Sequence, residues 1–222
     1  MREKYYCNKC NRYHYKSRGK IYYEHLESAN TGRRKSKNLP YESLDAGDFI
    51  LIKNRRTLLI GKYNHVVMYC GKVESRERRW DRDKKEYMKA GTPYVIHSTP
   101  KTGNGLGYSS FYTIIKKVRS ALPLEVKGLS KSEKKQCIDF LRKQMDGISG
   151  RNPSPKYDIF WFTKQKEPKK HKGFYCSEAI WSAYMSCHEI NLDPNGFSWT
   201  TLRGHGITPD DLMKSKHTRI IT

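Results

Sequence analysis

One cysteine and two histidines in this chain could together do chemistry. Cys176 stands in Phe174-Tyr175-Cys176-Ser177-Glu178-Ala179-Ile180-Trp181-Ser182-Ala183-Tyr184, where the pattern predicts the first turn of a buried helix, freed from the preceding chain by Gly173. A thiol at a helix N-terminus feels the partial positive charge of unpaired N–H groups, which favours the reactive thiolate. His65 opens the apolar run His65-Val66-Val67-Met68-Tyr69-Cys70-Gly71, and His97 lies near the end of Thr92 to Thr99. Both are expected at strand ends, where a ring can face a cleft while apolar neighbours anchor the strand. A thiol, an imidazole to take its proton and a third polar group to orient that imidazole are the parts of a nucleophilic thiol site. The alternative use of the same residues is packing, since free cysteine is among the most buried residue types.

A second cluster lies near the N-terminus, where Cys7, Cys10 and His14 are followed at some distance by His25. A CxxC pair forms a tight knuckle that aims two thiolates at one ion, and two imidazoles can close a tetrahedron around zinc. So short a segment has little core of its own, so a structural zinc there would contribute folding free energy directly. The alternative is an inert CxxC with solvated histidines. This puts a zinc-knuckle-like segment at 1–27, a basic linker without hydrophobic periodicity at 28–38, and the main domain at 39–222.

The elements that must hold the thiol site follow from the hydrophobic pattern. Phe49-Ile50-Leu51-Ile52, Thr57 to Ile60, the His65 run and Thr92 to Thr99 are predicted strands, close enough in sequence for an antiparallel meander. Glu74 to Lys89 is dense in charge and is expected to be a mobile, solvated excursion of secondary importance. Gly103, Gly105 and Gly107 are expected to form a flexible loop, and without GK[ST] they do not make a phosphate loop. Phe111 to Val118 is assigned as a strand. Ser130-Lys131-Ser132-Glu133 is a capping box, and Cys137, Phe140, Leu141 and Met145 then recur at helical spacing. Tyr157 to Phe162 is an aromatic run suited to core packing beneath the Cys176 helix or, as the alternative, to walling a substrate pocket. Thr208-Pro209-Asp210-Asp211-Leu212 reads as an N-cap with proline at the first helical position, and Arg219 to Ile221 as a closing strand. The fold class is therefore α+β, an antiparallel sheet packed against helices.

Composition narrows the function. With 44 Lys and Arg against 22 Asp and Glu, the formal charge is +22, which attracts polyanions such as nucleic acid or other acidic polymers. The basic residues are spread along the chain rather than gathered in one groove. Sixteen tyrosines and four tryptophans supply buried area to a chain that is only 36% hydrophobic, so it is not a disordered composition. No apolar run approaches the ~20 residues of a membrane span, and the start lacks a signal-peptide h-region, so a cytoplasmic protein is expected.

The order of motifs resembles a known family. Gly47-Asp48-Phe49-Ile50, then Asn64-His65 with its strand, then Tyr175-Cys176-Ser177-Glu178 with Trp181 and Tyr184, then Thr208-Pro209-Asp210-Asp211-Leu212, resemble the circularly permuted papain-fold (NlpC-like) cysteine peptidases and amidases of the YiiX/YaeF-like branch. In that group the histidine strand precedes the cysteine helix. The resemblance covers roughly 39–222 and leaves the CxxC segment outside. It implies a permuted papain-like fold with Cys176 as nucleophile, His65 as its base and His97 as the third polar residue. The expected activity is hydrolysis of a peptide or lipid-linked amide through an acyl-enzyme, with acyl transfer as a variant. The competing reading is a basic zinc-knuckle protein that binds nucleic acid and carries an inactive papain-like domain.

Overall fold

The computed structural model describes residues 3–7, 12–16, 41–54, 62–100, 105–116, 118–146, 157, 173–194 and 206–221. Cys10, His25, the linker 28–38, Thr57 to Ile60, Gly103 and the aromatic run after Tyr157 lie outside these residues.

At the N-terminus β1 (Glu3–Cys7) and β2 (Arg12–Lys16) form an antiparallel hairpin in which Cys7 faces Arg12 and Tyr5 faces His14. Among the described residues, the large sheet has six antiparallel strands: β3 (Phe49–Asn54), β4 (His65–Lys72), β7 (Pro93–Thr99), β8 (Gly105–Ser110), β9 (Val118–Val126) and β10 (Thr218–Ile220). Their order across the sheet is β10-β9-β3-β4-β7-β8. The meander from β3 through β8 is thus present, and β9 returns to pair with β3 on its other side. Phe49, Ile50, Leu51 and Ile52 are all fully buried, because β3 lies mid-sheet with both faces covered.

Among the described residues, four α-helices accompany the sheet: α1 (Phe111–Lys116), α2 (Lys131–Asp146), α3 (Cys176–His188) and α4 (Pro209–Lys214). Ring contacts identify the two faces of the sheet. Tyr184 of α3 meets Phe49, whose partner on β4 is Met68, whereas Phe111 of α1 meets Tyr69. So α3 covers one face and α1 the other. The segment 173–184, with its near-continuous apolar character, is buried from Gly173 to Tyr184.

Three sequence expectations need correction. Gly105 and Gly107 lie in β8, not in a loop, and Gly107 pairs with His97. A Cβ at Gly107 would come within 2.6 Å of the Arg82 guanidinium, so glycine there answers a close approach rather than a need for flexibility. The stretch from Phe111 is helical, because its buried apolar residues Phe111, Ile114 and Ile115 are spaced at the helical period. Its isoleucines favour a strand by propensity, and packing overrides that preference. Third, the charged segment 74–89 folds into a small hairpin, β5 (Trp80–Asp81) with β6 (Glu86–Tyr87), in which Asp81 and Arg82 are buried.

Among the described residues, no helix is long and apolar enough to cross a membrane.

Candidate active site

The approach to His65 is held on two sides. Asn64 donates its backbone N–H to the Ile52 carbonyl at 2.9 Å, and its side-chain oxygen accepts from Asn54 N at 3.0 Å. From the far end of the chain, the Asp210 carboxylate on α4 accepts the N–H groups of Lys62 and Tyr63 at 2.7 and 2.8 Å. Thr208 caps α4, accepting from Asp211 N while Asp211 reaches back to Thr208 N, so Asp210 is delivered by a rigid first turn. The motif around Thr208 therefore orients the loop that leads into His65.

The two histidines meet. His65 Nε2 lies 2.9 Å from His97 Nδ1, with the rings nearly perpendicular, and His97 Nε2 lies 2.8 Å from Ser109 Oγ. His97 is buried and His65 half-buried.

The start of α3 is fixed as tightly. Ser98, next to His97, donates to the Phe174 carbonyl at 2.5 Å, and Ser177 Oγ donates to the Ile207 carbonyl at 2.6 Å. Tyr175 Oη accepts from Ile207 N at 2.7 Å, and Glu178 accepts from Tyr175 N in the helix cap. Farther along, Tyr184 donates to the Gly47 carbonyl at 2.7 Å. Gly47 has φ +101 and its position leaves no room for a Cβ beside Lys134, so only glycine fits this support.

The recorded pairing of β4 with β7 runs from Lys72↔Pro93 to Met68↔Ile96. Past that point the Val66 N–H interacts with the Cys176 thiol. The thiol is thereby placed beside the residue that follows His65. Strand alternation sets His65 and His97 on the face with Tyr69, the face opposite α3.

The electrostatics correct one expectation. Burial pushes the Cys176 thiol up from its ordinary value, and the N–H groups of Val66, Ser177 and Cys176 itself lower it only in part. The helix terminus is present, but desolvation wins. The site therefore favours a neutral thiol that needs a base over a preformed thiolate. Cys70 is pushed up to about 12 by burial, and Cys137 and Cys187 are also raised by burial, which fits inert packing.

The sequence reading missed Ser109, Asp83, Asp210 and Ser98. Asp83 lies in Trp80-Asp81-Arg82-Asp83-Lys84-Lys85-Glu86-Tyr87, whose turn-forming aspartates between two aromatic residues signal a hairpin. Of the four residues assigned to zinc, Cys7 and His14 lie in the N-terminal hairpin and the other two are outside the described residues. Among the described residues, no group of three or more His, Cys, Asp or Glu side chains is arranged to hold a metal.

No family model matches the chain. No curated protein matches it either. Among solved structures it is similar to the crystal structure of metalloprotein yiiX from Escherichia coli O157:H7, DUF1105, with a TM-score of 0.52 and 14% identity, over 81% of this chain and 97% of that one. At that identity the likeness shows the fold alone: an α+β, yiiX-like arrangement of a large antiparallel sheet with a few helices.

Proposed function

We propose that this chain is a thiol hydrolase of the permuted papain-like type, cleaving an amide bond in a peptide or a lipid-linked amide. The observation that carries the reading is the meeting of His65 and His97 at 2.9 Å beside a buried thiol that contacts the N–H of the next residue, Val66. His65 takes the Cys176 proton, His97 orients the His65 ring, and the sulfur attacks the carbonyl to form an acyl-enzyme. The Cys176 N–H at the start of α3 is suited to the developing oxyanion. Water then completes hydrolysis; an amine or alcohol in its place gives acyl transfer from the same residues.

The test is site-resolved iodoacetamide labelling across pH, in wild type and His65→Ala, with zinc retained. Cys176 should label faster than Cys70, Cys137 and Cys187 near neutral pH. In the variant, reaction should appear only above the ordinary thiol range of ~8.5, because burial then acts without a base. Labelling of Cys176 that ignores His65 rules out the enzymatic reading.

A second reading, association with an acidic polymer such as nucleic acid, is favoured by the β5–β6 hairpin. There Trp80 and Tyr87 are exposed and in edge contact, and the Arg78 guanidinium stands 4.4 Å from the Tyr87 ring centre. Base stacking on such a pair should show a steep salt dependence and weaken in Trp80→Ala.

Zinc on Cys7, Cys10, His14 and His25 belongs to the same proposal. Its support is the CxxC spacing of Cys7 and Cys10, with Cys7 ending β1 and His14 on β2 of the same hairpin. Metal content of purified protein, against Cys7→Ser and Cys10→Ser, tests it.

A further inference from the structure

The pair of histidines does not end at His97. Ser109 Oγ, fully buried on β8, stands 2.8 Å from His97 Nε2 and donates to the Asp83 carboxylate at 2.9 Å. The hairpin that carries Asp83 is clamped to β8. Asp81 accepts from Ser110 N at 3.0 Å and from the N–H groups of Asp83 and Lys84 at 3.0 and 3.1 Å. Arg82 donates its backbone N–H to the Tyr108 carbonyl at 3.1 Å, and its guanidinium passes over Gly107 to the Gly105 and His97 carbonyls. This is far more anchorage than a solvated excursion would need.

Donor logic fixes the protons along this line. An ionised carboxylate only accepts, so the Ser109 hydroxyl donates to Asp83 and accepts from His97 Nε2–H. In neutral His97 that leaves Nδ1 as an acceptor, which takes the proton of His65 Nε2–H. His65 then carries its lone pair on Nδ1.

We propose that Asp83 and Ser109 are positioning residues of the thiol site, forming with His97 and His65 a four-member chain that holds His65 as the Nε2–H tautomer and supports its positive charge. The inference rests on the reading of His65 as the base. When the Cys176 S–H bond breaks, an N–H bond forms at His65 Nδ1, and the other protons of the chain stay where they are. Asp83 stays a carboxylate and stabilises the imidazolium through Ser109. The charged and titratable groups seen to adjoin the chain include Asp81 and Arg82 from the hairpin, and Cys176 of α3 adjoins Val66 next to His65. Arg82 opposes the positive charge, so Asp83 supplies the negative counterpart.

The experiment uses the full chain with Asp83→Asn, Ser109→Ala and the double variant. In a Cys176→Ala background, imidazole nitrogen NMR should find His65 and His97 protonated on Nε2. Their titration midpoints should fall by about half a unit to one unit in each single variant, three- to tenfold in imidazolium population at fixed pH. The double variant should shift no further than the larger single one, because both cut the same line. In the chain with Cys176, neutral-pH alkylation should drop by a similar factor, and Asp83→Glu should recover it in part. Asp83 is half-buried, so Asp83→Asn still tests the chain if Ser109→Ala fails to fold. Nδ1-protonated rings, or midpoints that stay put in Asp83→Asn, overturn the proposal. Labelling lost in His65→Ala but unmoved in Asp83→Asn refutes the chain alone, whereas labelling unmoved in His65→Ala refutes the base itself.

Discussion

Lys134→Met removes the cation from a buried ion pair next to Gly47, whose carbonyl Tyr184 of α3 bonds. Lys134 Nζ lies 2.7 Å from Asp48 and 3.3 Å from Glu125, and the Lys134 and Asp48 side chains are only 4% and 3% exposed. Burial works against the Lys134 charge, yet its hydrogen bonds and charge contacts with Asp48 and Glu125 leave its pKa raised. Burial holds Asp48 above the usual carboxylate range, with Lys134 and the Asp45 N–H pulling it down. Without the ammonium, Asp48 is a buried charge with one main-chain donor, from Asp45 at 2.8 Å. Breaking such a pair costs about 3–5 kcal/mol, which for a chain of this size lowers Tm by roughly 6–20 °C.

The sign with pH follows from the raised carboxyl. The folded variant binds the Asp48 proton more tightly than the unfolded chain, so its deficit is small at or below the unfolded pKa of ~3.9 and grows as pH rises toward the folded value. Urea melts at pH 4.5 and 7.5 should therefore show a larger loss at the higher pH. Asp48→Asn added to Lys134→Met should recover most of it, because the uncompensated charge is gone. A loss below about 1 kcal/mol at pH 7.5, or an equal loss at both pH values that Asp48→Asn does not relieve, refutes the argument.

Gly47→Ala should be destabilised by about 2 kcal/mol or more in the same melts, since φ +101 is strained for alanine and the new Cβ would lie 2.6 Å from the Lys134 Cβ. Asp210→Ala leaves the N–H groups of Lys62 and Tyr63 without their carboxylate; amide exchange at those two positions should accelerate, and Cys176 alkylation should slow without loss of the fold. Ser98→Ala frees the Phe174 carbonyl in a buried position, at a cost of about 1–3 kcal/mol, and should slow Cys176 labelling more than a loss of stability alone explains. Cys70, pushed up to about 12 by burial, should label only after the protein is unfolded, giving the internal control.

Much of the frame was legible in the sequence because burial on one or both sides leaves a periodic mark. The runs at Phe49, His65 and Pro93, the capped helix from Lys131, the buried helix from Cys176 and the Thr208 cap all appear where the pattern predicts them. Cys176, His65 and His97 could be singled out because each sits at the end of such a run. The pattern was weakest where local preference and packing disagree. The isoleucines after Phe111 suggested a strand, while burial of Phe111 against Tyr41 and Tyr69, with Ile114 and Ile115 buried one turn on, made a helix. Charge density between Glu74 and Lys89 suggested solvent, while contacts from Asp81 and Arg82 bound the segment to β8 at three points and to β7 at His97.

The sequence by itself determined which residues could do chemistry and on which kinds of element they stand, since a thiol before an apolar helix and a histidine before an apolar strand are local facts. Only the tertiary structure decided their partners and their protonation. Asp83 reaches Ser109 across 26 residues and Asp210 reaches Tyr63 across 147, and no local pattern encodes such pairings. It also reversed the sign expected at Cys176, because a helix N-terminus acts through its own first turn, whereas desolvation depends on everything packed around the thiol.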